Sequence, residues 1–389
     1  MNRPPSTLLV RLLAFLRRGM TPAACVAVVV SLFGCLAIYS ATYHLDRPFE
    51  FVGRQMIWLV LAVPTLFAVS AADRRTVRRA LPWLAAAAYA ALLLVLRFGI
   101  RVNGMRGWFA WGGVFVQPSE LAKPVFVLCL AAVLARAERE GWRPLTRCLA
   151  ALAVLAVWTA PIAVEPDFGT CLVYAVTFLA VYGCIGGHWP YLAASAAVGA
   201  VVAAGLAWKV PYVAARLAGF WRPQEYAETS GWHILQFQRT LASGGWLGHW
   251  WGKALWSQTY LPLGYSDSIF ATIGESVGFL GLLPFVGVIL LWVYYGYRRV
   301  RRCTDVFPAA AILGMAAFLG GQAFIHLSVN LGLMPPTGIT LPLISYGGSS
   351  LMSTVLAIGL VEALSRPPAA SPGTPGNGNG PEPRGPRPA

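Results

Sequence analysis

Five polar side chains and one indole stand where an otherwise apolar chain has to account for them. Asp267 lies in YLPLGYSDSIFATIGESVG, two residues before an apolar run that opens at Ile269. A carboxylate at the edge of such a run must be solvated, paired or used. It can cap the helix that follows, or it can take a proton from a hydroxyl as a general base; the residues leave both open. Glu120 and Lys123 are three apart in PSELAKP, so on a helix they share a face and can form an ion pair. A lysine inside an apolar span is costly unless paired or turned to an aqueous cavity, so structural pairing and contact with an anionic substrate both stand. Asp167 in EPDFGT either caps the next helix or adds a polar group to an outward-facing site. Arg106 and Trp108 in NGMRGWFAWGG belong to an interfacial aromatic belt or to a binding surface.

Metal and thiol chemistry find little footing. The seven cysteines show no CxxC spacing and fall mostly in apolar runs, as small packing residues do. The five histidines are scattered without an HExxH or related pattern, and the ligands of any metal stay unknown.

The elements that must position these groups are membrane helices. Of 389 residues 57% are hydrophobic and 12% charged, with a mean hydropathy of +0.61, outside the usual make-up of soluble domains. Runs of the roughly 20 residues needed to cross a bilayer predict an all-α polytopic membrane protein of ten spans, near 20–40, 52–71, 80–96, 121–135, 148–163, 168–184, 191–209, 269–295, 307–327 and 346–364. A long outer loop, 210–268, separates the seventh span from the eighth. Residues 1–19 read as a basic cytoplasmic leader, 20–365 as the ten-span domain, and 366–389, rich in Pro and Gly, as a disordered cytoplasmic tail. The first apolar run is as long as a full span, which predicts an uncleaved anchor rather than a removable signal.

Basic clusters set the orientation. Arg3, Arg11, Arg17 and Arg18, then Arg74–Arg79, Arg136–Arg147, Arg298–Arg302 and the tail arginines all fall on one side of a ten-span scheme, so both termini are expected inside. The net charge of +15 is therefore read as attraction to anionic lipid headgroups, not nucleic acid.

Three stretches between spans carry further information. Segment 98–120 joins glycines to Trp108, Phe109 and Trp111 and is expected outside; Pro118 then opens the fourth span, with Ser119 as its cap and Glu120 at the positive end of its dipole. Within the long loop, 232–245 predicts a short amphipathic helix lying along the membrane surface. SVNLGLMPPTGITLPLISYGGSS, 328–350, has too many Pro and Gly for a continuous helix, so a re-entrant or pore-lining loop is expected, its backbone satisfied by protein or water.

Taken in order, NGMRGWFAWGG with VQPSELAK, EPDFGTCLV, SGGWLG, YLPLGYSDSIFATIGESVGFLG and NLGLMPPTGITLPLISYGGSS resemble the SEDS (shape, elongation, division and sporulation) proteins, the family of RodA and FtsW. The resemblance covers nearly the whole chain except the tail. It implies a glycosyltransferase that polymerises lipid II outside the bacterial cytoplasmic membrane and works with a class B penicillin-binding protein. It also implies that Asp267 is the catalytic residue and that Trp108, Glu120, Lys123 and Asp167 matter to function. Arg106 and Lys123 are then candidates to stabilise the leaving pyrophosphate, as is a divalent cation, Mg or Mn; no organic cofactor is implied. Where family members commonly read PEAHTD, this chain has Pro262–Leu263–Gly264–Tyr265–Ser266–Asp267, which keeps the Asp and loses a Glu and a His. The alternatives are a lipid flippase or transporter, favoured by intramembrane charge and a broken loop, and a non-catalytic scaffold of a cell-wall synthesis complex.

Overall fold

Proline and small polar caps decide where the helices begin. In the computed structural model, which describes residues 20–102 and 104–366, Thr21 accepts from the Ala24 N–H ahead of α1 (Pro22–Thr42), and Pro48 opens α2 (Pro48–Ala71). Asp73 caps α3 (Arg74–Phe98) through the Thr76 N–H at 2.6 Å. Proline suits the first turn because its missing N–H would have had no intrahelical partner there. The same device starts α4 (Pro118–Arg139) and α5 (Pro144–Val164). α6 (Phe168–Ile185) and α7 (Trp189–Lys209) follow, then the short helices α8 (Pro211–Trp221), α9 (Trp232–Gly244) and α10 (Leu255–Thr259) of the long loop, and finally α11 (Ile269–Val300), α12 (Val306–Asn330) and α13 (Gly348–Ser365). Among the described residues, α1–α7 and α11–α13 are the ten helices long and apolar enough to cross a membrane. The expected ten-span order holds, and the leader 1–19 and all but Arg366 of the tail lie outside the described residues.

The most enclosed helices are α4, α12 and α13, whereas α7 buries no residue at all. Between spans the backbones come close where side chains are small, as membrane packing favours. A methyl group at Gly314 would lie 2.4 Å from Val127, and one at Gly34 2.8 Å from the Ile344 backbone.

Segment 98–120 is more ordered than its loop-like composition suggests. It forms an antiparallel sheet of β1 (Ile100–Val102), β2 (Met105–Trp111) and β3 (Val114–Val116), and Gly112 and Gly113, at φ 56° and 80°, make the two-residue turn between β2 and β3. The fourth span also starts differently from expectation. Its N-cap position is Gln117, whose side chain makes no cap, and Ser119 does not cap: its hydroxyl is buried with no hydrogen-bond partner.

The eighth span, α11, is broken at Gly278 (φ 71°, ψ −178°), a conformation open to glycine and strained for other residues. The freed backbone groups are taken up by the glycine-rich turn after α9. Phe279 and Leu280 N–H donate to the Gly245 and Trp246 carbonyls, and His249 and Trp250 N–H donate to the Glu275 and Ser276 carbonyls. α9 itself turns Ile234, Gln236, Phe237, Thr240 and Gly244 inward against the first turns of α11. The expected amphipathic helix therefore exists, but its apolar face is spent on the protein and does not lie along the membrane surface. At Gly244 a Cβ would sit 2.2 Å from the Gly274 carbonyl oxygen. Gly244→Ala is expected to lever α9 off α11 and cost about 1–3 kcal/mol, the usual price of overpacking, visible as a lower unfolding temperature in detergent.

Segment 331–347 is non-helical and partly buried, and its backbone is satisfied by side chains from several spans, as the absence of bilayer water requires. Gln322 Nε2 donates to Thr340 O (3.0 Å), His326 Nδ1 to Ile339 O (2.7 Å), Arg216 Nη1 to Pro336 O (2.7 Å) and Gln55 Nε2 to Ser345 O (3.4 Å).

Candidate active site

Two groups of polar residues face each other across this loop. The first is built on α4 and the turn before α6. Lys123 and Glu120, one helical turn apart on α4, pair at 2.5 Å while almost wholly buried, and Lys123 Nζ also donates to Gln322 Oε1 on α12 at 2.8 Å. Asp167 caps α6 by accepting the Thr170 N–H at 2.9 Å, and its other oxygen accepts from Gln117 Nε2 at 3.0 Å. Both readings of Asp167 thus hold at once: it is a cap, and it is part of a polar cluster. Burial raises its pKa, opposed by the hydrogen bonds from Thr170 and the nearby Lys123 charge. Glu165, two residues earlier, is 1% exposed with both carboxyl oxygens unpartnered. Burial, and then the charge of Asp167, push it up to about 8, so it is protonated at neutral pH.

The second group centres on Asp267. Its side chain caps nothing: the residue at the N-cap of α11 is Ser268, and Asp267 Oδ1 is buried with no partner. The residue as a whole is half-buried, and Oδ1 is an enclosed edge of the carboxylate. Burial lifts its pKa to about 6, opposed first by a hydrogen bond from its own backbone N–H and then by the guanidinium of Arg216 on α8. Arg216 is fixed by its bond to Pro336 O and lies 4.2 Å over the Tyr212 ring; it feels the charges of both Asp267 and Asp167. The loop fills the space between, since Gly338 lies within reach of Asp267 Oδ2 (3.9 Å to an added Cβ) and Thr337 O lies against Gly169 (2.7 Å).

The residues that replace the family's usual ones before Asp267 have packing roles. Tyr265 sits against Phe51 and Tyr346, ring centres 4.7 and 5.6 Å away, and its carbonyl accepts the Tyr346 N–H. Ser266 O accepts from Ser345 Oγ at 2.7 Å. Leu263 is exposed and holds a positive φ of 50°. The segment carrying Asp267 is thus bonded to the loop rather than supplied with extra acid or base.

Of the residues singled out in the sequence, the structure joins Glu120, Lys123 and Asp167 in one cluster and puts Asp267 across the loop from it. Arg106 and Trp108 lie on β2, where Trp108 is paired with Ile100 and Arg106 Nη1 donates to Leu96 O at 3.3 Å. Gly107 between them abuts Glu165, whose Oε2 would be 2.8 Å from a Cβ there, so the sheet closes over the 165–167 turn. Gln117, Glu165, Arg216 and Gln322 complete the site without having been picked out. Gln322 had a signal, a lone amide inside an apolar span; Arg216 was one of several charges in a long loop and had none.

Because Arg216 offsets part of the burial cost of the Asp267 charge, its removal should raise that pKa further. If Asp267 works as a base, it is active when ionised, so kcat/KM rises with pH through about 6. Arg216→Gln is expected to move this acid limb to higher pH, as a pH–rate profile would show.

A polytopic helical bundle that holds a buried lysine–carboxylate cluster across a loop from the carboxylate that ends the long 210–268 segment defines the class: a multi-pass membrane protein with a polar site at one end of its spans. Residues 20–368 match the cell cycle protein family model of FtsW, RodA and SpoVE, and the chain belongs to that family. It is 33% identical over 334 residues to the probable peptidoglycan glycosyltransferase FtsW of Nitrosococcus halophilus, covering 84% of this chain and 86% of the relative. The same percentage holds over 365 residues with the Mycobacterium bovis protein of that name, covering 91% and 69%. Among solved structures, a chain from a peptidoglycan synthase complex that coordinates polymerisation and crosslinking superposes with a TM-score of 0.73 at 27% identity, covering 88% of this chain and 96% of that one. The rod shape determining protein RodA of Thermus thermophilus gives 0.66 at 27%, covering 90% and 97%.

Proposed function

We propose that this protein is a peptidoglycan glycosyltransferase that polymerises lipid II at the outer face of the bacterial cytoplasmic membrane, with both termini inside and a class B penicillin-binding protein as partner. The observation that carries the mechanism is the Asp267 carboxylate, its Oδ1 enclosed and without a hydrogen-bond partner, within the field of Arg216. Asp267 removes the proton from the C4 hydroxyl of the acceptor N-acetylglucosamine. That oxygen bonds to the anomeric carbon of the donor N-acetylmuramic acid as the bond to undecaprenyl pyrophosphate breaks, with inversion. Arg216 is better placed than Arg106 to share in stabilising the developing negative charge, since Arg106 is turned to Leu96 O.

A divalent cation, Mg or Mn, supplies charge neutralisation to a leaving pyrophosphate when bound. Among the described residues no three His, Cys, Asp or Glu side chains converge on a metal site. The fit is to an ion that keeps phosphate ligands and takes only one or two carboxylates, as Mg²⁺ does. Glu165, with both oxygens unpartnered, and the neighbouring Asp167 are the pair that would hold it, Glu165 giving up its proton as the ion binds.

The break in α11 and the non-helical loop at 331–347 are also transporter features, which keeps a lipid II flippase as the second reading. Purified protein in liposomes with labelled lipid II separates the two. The enzyme yields glycan polymer from lipid II presented on its outer face. Translocation of the label without lengthening would overturn the assignment. Relatives named FtsW favour a division-type over an elongation-type role, and co-purification of the penicillin-binding partner tests that.

A further inference from the structure

Why Asp267 caps nothing is answered by the neighbouring span. A helix that begins at Ile269 leaves its first N–H groups without intrahelical acceptors, and an aspartate just ahead of it is the side chain that ordinarily takes one of them. Ser268, at the N-cap, turns its hydroxyl away to Pro262 O at 2.8 Å. The Ala271 N–H is accepted instead by Oδ1 of Asn330, the last residue of α12, at 3.2 Å. The same amide's Nδ2 donates to the Asp267 carbonyl at 3.0 Å and to His326 O at 2.9 Å. Asn330 is fully buried, so these bonds are made away from water. One side chain thus supplies the cap that Asp267 would have supplied and, by a second bond, fixes the backbone of Asp267 itself.

We propose that Asn330 is a positioning residue that caps α11 from the adjacent span, so that the Asp267 side chain is released from capping and kept available for proton transfer. The functional half of this rests on the reading of Asp267 as the base. The residue type matters because an acceptor and a donor are needed together: Asp would keep the first and lose the second, and Ala would lose both. The titratable and charged groups that face Asp267 are Arg216 and Tyr212 on α8 and Tyr265 on its own segment. A change confined to Asn330 leaves all three in place.

Two measurements test the inference, and the first does not depend on catalysis. Hydrogen exchange over 268–272, followed by mass spectrometry on the full-length protein in detergent, should be as slow in Asp267→Ala as in the wild type, because the cap is Asn330. It should speed up when Asn330→Ala is added to Asp267→Ala. Loss of protection in Asp267→Ala alone would identify Asp267 as the cap and overturn the proposal. The second is kinetic. In Asn330→Ala the Asp267 carboxylate is drawn to the vacated Ala271 N–H, so kcat should fall on the order of 10²-fold, the scale of a small misplacement, with KM nearly unchanged. The acid limb of the pH–rate profile should also move to lower pH, because the new bond favours the ionised form. Asn330→Asp keeps the acceptor and should leave the limb where it was or higher. An unmoved limb in Asn330→Ala, or unchanged kcat, overturns the positioning role. If instead Asp267→Asn retains full activity, the base assignment fails while the exchange result still judges the cap. Should Asn330→Ala fail to fold, the Asp267→Ala exchange arm decides by itself.

Discussion

Asp267→Asn is expected to lower glycan polymerisation from lipid II by about 10²–10⁴-fold, the range a positioned general base contributes. The substitution is nearly isosteric, and Oδ1 makes no hydrogen bond that the amide would break. The protein should therefore fold and bind substrate as before, and the loss should fall on kcat rather than KM. The wild-type acid limb near pH 6 should vanish with the carboxylate. An ordinary aspartate would be ionised about two pH units lower; the shift follows from enclosure of the carboxylate, limited by the residue's own backbone N–H and then by Arg216. Single-turnover and steady-state assays on lipid II, run from pH 5 to 8, check both parts. Undiminished polymer from the variant would remove Asp267 from the mechanism.

Lys123→Met is expected to be the most destabilising single change in the site. The Glu120–Lys123 pair is buried and tied further to Gln322, and removal of one partner leaves an uncompensated charge, at a cost of about 3–5 kcal/mol. Glu120→Gln combined with Lys123→Met should recover most of that loss, because a neutral pair needs no charge compensation and similar volume is retained. Chemical denaturation in micelles of wild type, both single variants and the double variant gives the coupling between the two residues. Polymerisation by the double variant then reports what Lys123 does beyond holding Glu120. Stability restored without activity means that its charge serves the substrate, and restoration of both means that the pair is structural.

The architecture was legible because it follows from local rules. A bilayer fixes span length, and proline with capping residues fixes where helices start, so ten spans could be counted along the chain. The Glu120–Lys123 pair was readable for the same reason, since three-residue spacing on a helix is a local fact. The sheet at 100–116 was signalled only by alternation around Gly112–Gly113, easily taken for an aromatic interfacial loop.

By itself the sequence determined which residues could do chemistry and which family they resemble. Only the tertiary structure decided what each carboxylate is free to do. A cap and a base look alike in sequence, because both are an aspartate ahead of an apolar run. Asp167 caps its own helix, whereas Asp267 does not, and the difference is Asn330, sixty-three residues away on another span. Likewise Arg216 and the loop around Gly338 reach Asp267 only through the fold. Helix formation and spacing are local, but burial, desolvation and hydrogen-bond competition depend on which distant groups arrive at the same point, and those set whether a carboxylate is spent on structure or left to react.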